Sequence, residues 1–188
     1  MLNNDELPFP LQGSTLITGP SNSGKTRLTS KALEKWISLN GSKNIIVLEF
    51  GPEYLYNGRV LGRHLSRFTT LNSDIWYGYL ETYAPRAESK NEKEALEMAS
   101  MNSKRAETLI STLPPIKKAI FINDITIPLQ FPSQNLETLI NYCDGAECSV
   151  INAFKGTELG SDDPISNFEK SSLSKLQKWA DRELNLGF

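Results

Sequence analysis

The sequence predicts an α/β fold of three layers, α/β/α, around a mainly parallel central sheet. Three observations carry that expectation. Continuous apolar runs rich in β-branched residues recur, at 44–50 and 119–123, and a strand apolar on both faces is a strand covered on both faces. Stretches with helical apolar spacing separate these runs. Strand–helix alternation at such intervals favours parallel strands joined by crossover helices.

Taken in order, Ser14-Thr15-Leu16-Ile17-Thr18 reads as a short strand. Residues 26–40 read as a helix with Leu28, Ala32, Leu33, Trp36 and Ile37 on one side, stopped by Gly41. Residues 44–50 form the next strand, closed by Gly51-Pro52. Residues 54–90 hold Tyr54, Tyr56, Phe68, Trp76, Tyr77, Tyr79 and Tyr83 without a clean period. A lid or substrate-binding insertion is expected there. Ser89-Lys90-Asn91-Glu92 has the spacing of a capping box and opens a helix expected to run to about Leu113, with Ala95, Ala99, Ala106, Leu109 and Ile110 inward; Pro114-Pro115 breaks it. A strand at 119–124 is expected to continue through Ile127-Pro128-Leu129. A short helix spans 136–143 and a strand 148–154. Ser166-Asn167-Phe168-Glu169 has capping-box spacing and starts a last helix with Leu173, Leu176, Trp179 and Ala180 on one face.

The chain of 188 residues suits a single domain over 1–188. A net charge of −2 gives no general attraction to nucleic acid. No apolar run is long enough to cross a bilayer. The first residues, Met1-Leu2-Asn3-Asn4-Asp5-Glu6, lack the basic start and apolar stretch of a secretory signal. A cytoplasmic protein without a membrane role is expected. Cys143 and Cys148 read as reduced thiols, since the only histidine, His64, is far away in sequence and no zinc set can be assembled.

The most specific feature is Gly19-Pro20-Ser21-Asn22-Ser23-Gly24-Lys25-Thr26. It fits G-x-x-x-x-G-K-[ST], between a strand and a helix, as the chemistry requires. Successive amides can curl around a phosphate, and the helix start adds partial positive charge. The glycines permit close backbone approach. On these residues the chain resembles the P-loop NTPase superfamily. The resemblance implies ATP as ligand, with GTP possible, together with Mg²⁺. It implies Lys25 at the β- and γ-phosphates and Thr26 at the metal.

Asp124 ends an apolar strand, where the resemblance implies a second metal-holding group. Ile125 follows it in place of a water-activating glutamate, so the candidate bases are Glu49 and Glu53, as in a RecA-like arrangement. Asn152 is the candidate γ-phosphate sensor. Lys155-Gly156 follows it and does not make the Asn-Lys-x-Asp motif of GTPases. Arg59, Arg63 and Arg67 recur every four residues with His64 beside them; on a helix they would share one face and meet a phosphoryl group. Asp162 and Asp163 complement the start of the last helix.

Two narrower resemblances exist. The order of motifs, with Arg59 to Arg67 after the second strand and Asp124-Ile125-Thr126 at a strand end, is similar to the adenosylcobinamide kinase family. Residues 152–156 depart from that family's Asn-Glu-containing loop. The Ser-Asn-Ser-Gly-Lys-Thr core resembles the small nucleotide-binding protein of molybdopterin cofactor maturation. Expected functions are therefore Mg-dependent NTP hydrolysis or γ-phosphoryl transfer, a small-molecule kinase with an acceptor, or a nucleotide-dependent switch acting in an oligomer or with a protein partner.

Overall fold

Parallel pairing runs through the whole central sheet. The computed structural model describes residues 6–56, 59–157 and 162–187; the polar start at residues 1–5 and the side chains of Tyr54, Tyr56 and Arg59 lie outside what is described. The elements are β1 (Gly13–Gly19), α1 (Lys25–Asn40), β2 (Ile45–Glu49), β3 (Tyr54–Tyr56), β4 (Arg59–Leu61), β5 (Ile75–Tyr79), α2 (Pro85–Glu88), α3 (Glu92–Ile110), β6 (Ala119–Asn123), α4 (Asn135–Cys143), β7 (Cys148–Phe154), α5 (Pro164–Trp179) and β8 (Arg182–Asn185). Six strands lie in the order β5-β2-β6-β7-β1-β8, and β3 pairs with β4 as a separate antiparallel hairpin.

Alternate residues of each strand serve opposite faces. Ile46, Leu48, Ile120, Ile122 and Ile151 share a core with Ala106 and Ile110 of α3, Leu136 and Leu139 of α4, and Leu176 of α5. Ile17, Val47, Phe121 and Val150 share another with Ala32, Leu33 and Trp36 of α1. The fold is thus a three-layer α/β/α sandwich. β7 lies between β1 and β6, so the ends of β1 and β6 flank the end of β7. No helix among the described residues is long and apolar enough to cross a membrane.

Several local expectations change. The 54–90 segment is not wholly an insertion, because β5 joins the sheet beside β2. Gly78 leaves room there: a Cβ would come within 2.6 Å of the Trp76 ring and 3.1 Å of Leu109. The stretch holding Arg59, Arg63 and Arg67 is no helix; it runs from β4 through Gly62 at φ 68° into a 3₁₀ turn at Leu65–Arg67. After Asp124 the strand does not continue, since Ile127–Leu129 is a 3₁₀ turn held by Ile127 N–H to Asp124 O. Both helix caps shift. Asn91 caps α3 by accepting from Glu94 N–H, and Asp163 caps α5 by accepting from Ser166 N–H. In each case a short side chain with an extended backbone took the cap position. β8 was invisible to hydropathy because Arg182-Glu183-Leu184-Asn185 is mostly polar. It is an edge strand tied to β1 by Asp181, which accepts from Ser14 N–H at 2.7 Å, and by Glu183, which accepts from Thr18 Oγ1 at 2.6 Å.

Candidate functional site

The loop 19–26 joins β1 to α1 with two constrained glycines. Gly24 has φ 94°, and a Cβ there would meet nothing within 4 Å, so only its backbone conformation demands glycine. Gly19 is limited by space: a Cβ would come within 2.7 Å of Ser23 Oγ and 3.2 Å of Leu186 Cβ. Gly24 supplies no side-chain cap and the first turn of α1 carries no acidic residue. The start of α1 thus carries no side-chain cap and lies at the positive end of the helix dipole. Lys25 Nζ folds back over the loop and donates to Gly19 O at 2.9 Å and Pro20 O at 2.6 Å. Ser23 Oγ is buried with no hydrogen-bond partner.

Asp124 follows β6 in a left-handed conformation, φ 55°. Its carboxylate accepts from Thr126 Oγ1 at 2.6 Å, and its N–H donates to Asn152 Oδ1 at 2.8 Å. Burial pushes its pKa up, opposed by the Thr126 hydrogen bond and the charge of Lys25. The lysine and the aspartate thus feel each other across the site.

A buried polar network runs from the loop helix to β2. Thr29 Oγ1 donates to Lys25 O at 3.0 Å and accepts from Asn152 Nδ2 at 2.9 Å. Asn152 Nδ2 also donates to Asn123 Oδ1 at 2.7 Å. Asn123 Nδ2 donates to Glu49 Oε1 and, at 3.1 Å, to Arg63 O. Leu65 N–H donates to Glu49 Oε2 at 2.8 Å. The fixed backbone partners decide both amide orientations.

These groups meet at a cleft of about 450 Å³. Residues 21–27 line one side, and Asn123, Asp124, Thr126 and Asn152 line the floor. Gly19 and Pro20 lie just behind, at the end of β1. The two candidate bases are not brought into the cleft. Glu49 is fully buried behind Gly51 and Asn123, and burial raises its pKa to about 8 against the hydrogen bonds from Asn123 and Leu65. Glu53 turns away to a second cavity of about 320 Å³. There Arg67 grips its carboxylate at 2.7 and 2.9 Å and holds its pKa at about 2. Arg67 is thereby taken from the cleft, while the exposed Arg63 lines it.

The far wall was not legible in the sequence. Arg86 of α2 forms a bidentate pair with Glu169 of α5 at 2.7 and 3.1 Å, with side-chain exposures of 12% and 8%. Arg86 also donates to Ser166 Oγ at 2.9 Å, and Gln130 Nε2 donates to Glu169 Oε1 at 2.8 Å. Arg86, Gln130 and Glu169 all line the cleft, and Arg86 Nε and Gln130 Oε1 have no hydrogen-bond partner. The only local signal was Ser166-x-x-Glu169, which reads as a cap rather than as a cleft wall.

No protein-family model matches the chain, and no curated protein matches it.

The donor set suits a Mg²⁺–nucleotide. Among the described residues no group of three or more His, Cys, Asp or Glu side chains could hold a metal alone. Magnesium with a nucleotide needs no such cage, because water and phosphate oxygens fill most of its shell. The Asp124 carboxylate and the Thr26 hydroxyl residue border the same cleft as the loop.

Proposed function

We propose that this chain is a P-loop NTPase that binds ATP, with GTP as the alternative, and cleaves or transfers its γ-phosphoryl group. The observation that carries the reading is convergence: Lys25, Thr26, Asp124 and Asn152, from three separate stretches, border one cleft at the C-terminal ends of β1, β6 and β7. Parallel sheets bind ligands at such ends. The loop amides and Lys25 would hold the phosphates and neutralise the charge that builds up as the γ-phosphoryl moves. Lys25 would exchange its two carbonyl partners for phosphate oxygens. Thr26 and Asp124 would hold Mg²⁺, which when bound draws charge from the phosphate oxygens. Asn152 would present its amide near the γ-phosphate.

In the reaction an oxygen of water or an acceptor hydroxyl bonds to the γ-phosphorus as the bond to the bridging β–γ oxygen breaks. The electron pair leaves with the nucleoside diphosphate, and the proton of the nucleophile passes to the transferred phosphoryl group or to solvent. Positioning and electrostatics carry most of such a reaction. A second reading, a small-molecule kinase, is favoured by the far wall. Arg86, Gln130 and Glu169 give the cleft a polar surface away from the loop, where an acceptor would sit.

Replacing Lys25 by Ala tests the reading. Turnover of Mg-ATP, followed by release of ADP or phosphate, should fall on the order of 100-fold or more, with weakened binding by calorimetry. Binding and turnover equal to the wild type would contradict it.

A further inference from the structure

We infer that Arg63 is a catalytic cation for the transferring phosphoryl group and that Glu49 is the positioning residue that presents it. The inference rests on the nucleotide reading above and gives Glu49 a role other than base. Segment 62–65 is fastened at four points to the ends of β2 and β6 and to the turn after β2. Arg63 O accepts from Asn123 Nδ2 at 3.1 Å, and His64 N–H donates to Glu53 Oε1 at 3.0 Å. His64 Nε2 lies 2.8 Å from Gly51 O, and Leu65 N–H donates to Glu49 Oε2 at 2.8 Å. Gly62 permits this close docking: at φ 68° a Cβ would lie 1.8 Å from Pro52 O.

The consequence is selective. His64 and Leu65 turn into the protein, and Arg67 is held by Glu53, whereas Arg63 is exposed and lines the cleft. No carboxylate pairs with Arg63 among the described residues. A guanidinium beside a phosphate cleft, on a pinned backbone, can meet charge that develops on equatorial phosphoryl oxygens. Both Glu49 oxygens are committed to Asn123 and Leu65, and Gly51 and Asn123 stand between Glu49 and the cleft. A general base must reach the proton that it takes; Glu49 instead accepts from Leu65 N–H and, through Asn123, supports Arg63 O. The chain of bonds from Lys25 O through Thr29, Asn152 and Asn123 ends on Arg63 O, linking the loop helix to the same segment.

The test uses the full chain and calorimetric affinities for Mg-ADP and for Mg-ADP with aluminium fluoride, which imitates the transferring group. Wild type should bind the fluoride complex far more tightly. Arg63→Ala should lose about 100-fold of that gain while its Mg-ADP affinity shifts by less than about threefold. Glu49→Leu, which keeps the bulk but removes both acceptors, should lose about tenfold, and the double variant should fall no further than Arg63→Ala alone, the mark of two residues acting through one group. Gly62→Ala, which displaces the segment without touching either charge, should behave like Arg63→Ala. Equal fluoride affinity in wild type and Arg63→Ala overturns the role of Arg63. Losses that multiply in the double variant overturn the anchoring role of Glu49. Absence of Mg-ADP binding by the wild type overturns the nucleotide reading itself, and the inference with it.

Discussion

The two sides of the cleft are built in different ways. The loop side is local: eight consecutive residues, 19–26, bend one backbone turn onto the start of α1. The opposite side is assembled at long range. Gly51, Gly62 and Arg63 come from the end of β2 and the segment after β4, Arg86 from α2, Gln130 from beyond β6 and Glu169 from α5. Arg86 and Glu169 are 83 residues apart in sequence. The first side offers backbone amides, which every residue of the loop except Pro20 carries. The second side places side chains instead, and its Arg86 is held by the buried Glu169. In the proposed enzyme the local side would bind what all nucleotides share, and the assembled side would decide what is done with them.

The comparison is sharpest at the junction of the two sides. Asp124→Ala should give the largest effect after loss of Lys25. Mg-dependent turnover should drop on the order of 100-fold, whereas nucleotide affinity measured in excess EDTA should change little. A variant equally active with Mg²⁺ would remove Asp124 from the metal role.

The carboxyls at the end of β2 offer a smaller but cleaner contrast. Burial raises Glu49 from 4.5 to about 8, with the nearby Asp124 charge adding to the rise. The folded state therefore holds the proton more tightly than the unfolded chain, and the neutral form contributes its full share of stability only below pH 4.5. That share is lost as pH climbs from 4.5 to about 8. Glu49→Gln imitates the protonated form, so its Tm should match the wild type at the acid end and exceed it increasingly towards about pH 8. Glu53 has the opposite sign. Arg67 lowers it from 4.5 to about 2, so its contribution is present above pH 4.5 and lost as pH falls towards 2. Because that pair is largely at the surface, Glu53→Gln should lower Tm near neutrality by no more than about 3 °C. Parallel pH profiles for wild type and Glu49→Gln would end this distinction.

The same division explains what the sequence disclosed. Strands at 44–50, 119–123 and 148–154 were legible because both faces are buried and most of their residues are apolar. β8 was not, since an edge strand has one partner and can be Arg-Glu-Leu-Asn. The loop was legible because its geometry restricts residue type at fixed spacing. Glu49 and Glu53 look alike in sequence, both at the end of one strand; only the docking of segment 62–65 turns one inward to Leu65 and the other outward to Arg67. Arg63 and Arg67 separate for the same reason, because a bend at Gly62 and a 3₁₀ turn replace the helix that their spacing suggested. Arg86, Gln130 and Glu169 carry no local pattern at all. Their meeting depends on how α2 and α5 pack beside the turn after β6.

The central claim is that the cleft beside 19–26 receives a magnesium-bound nucleoside triphosphate. Titrating ¹⁵N-labelled protein with Mg-ATP while following backbone amide shifts tests it most directly. The account predicts saturable shifts in residues 21–26, at 124–126 and at Asn152, with little change around Glu53, Glu81 and Glu88 in the second cavity. Saturating Mg-ATP and Mg-GTP that leave the 21–26 amides unmoved would contradict it.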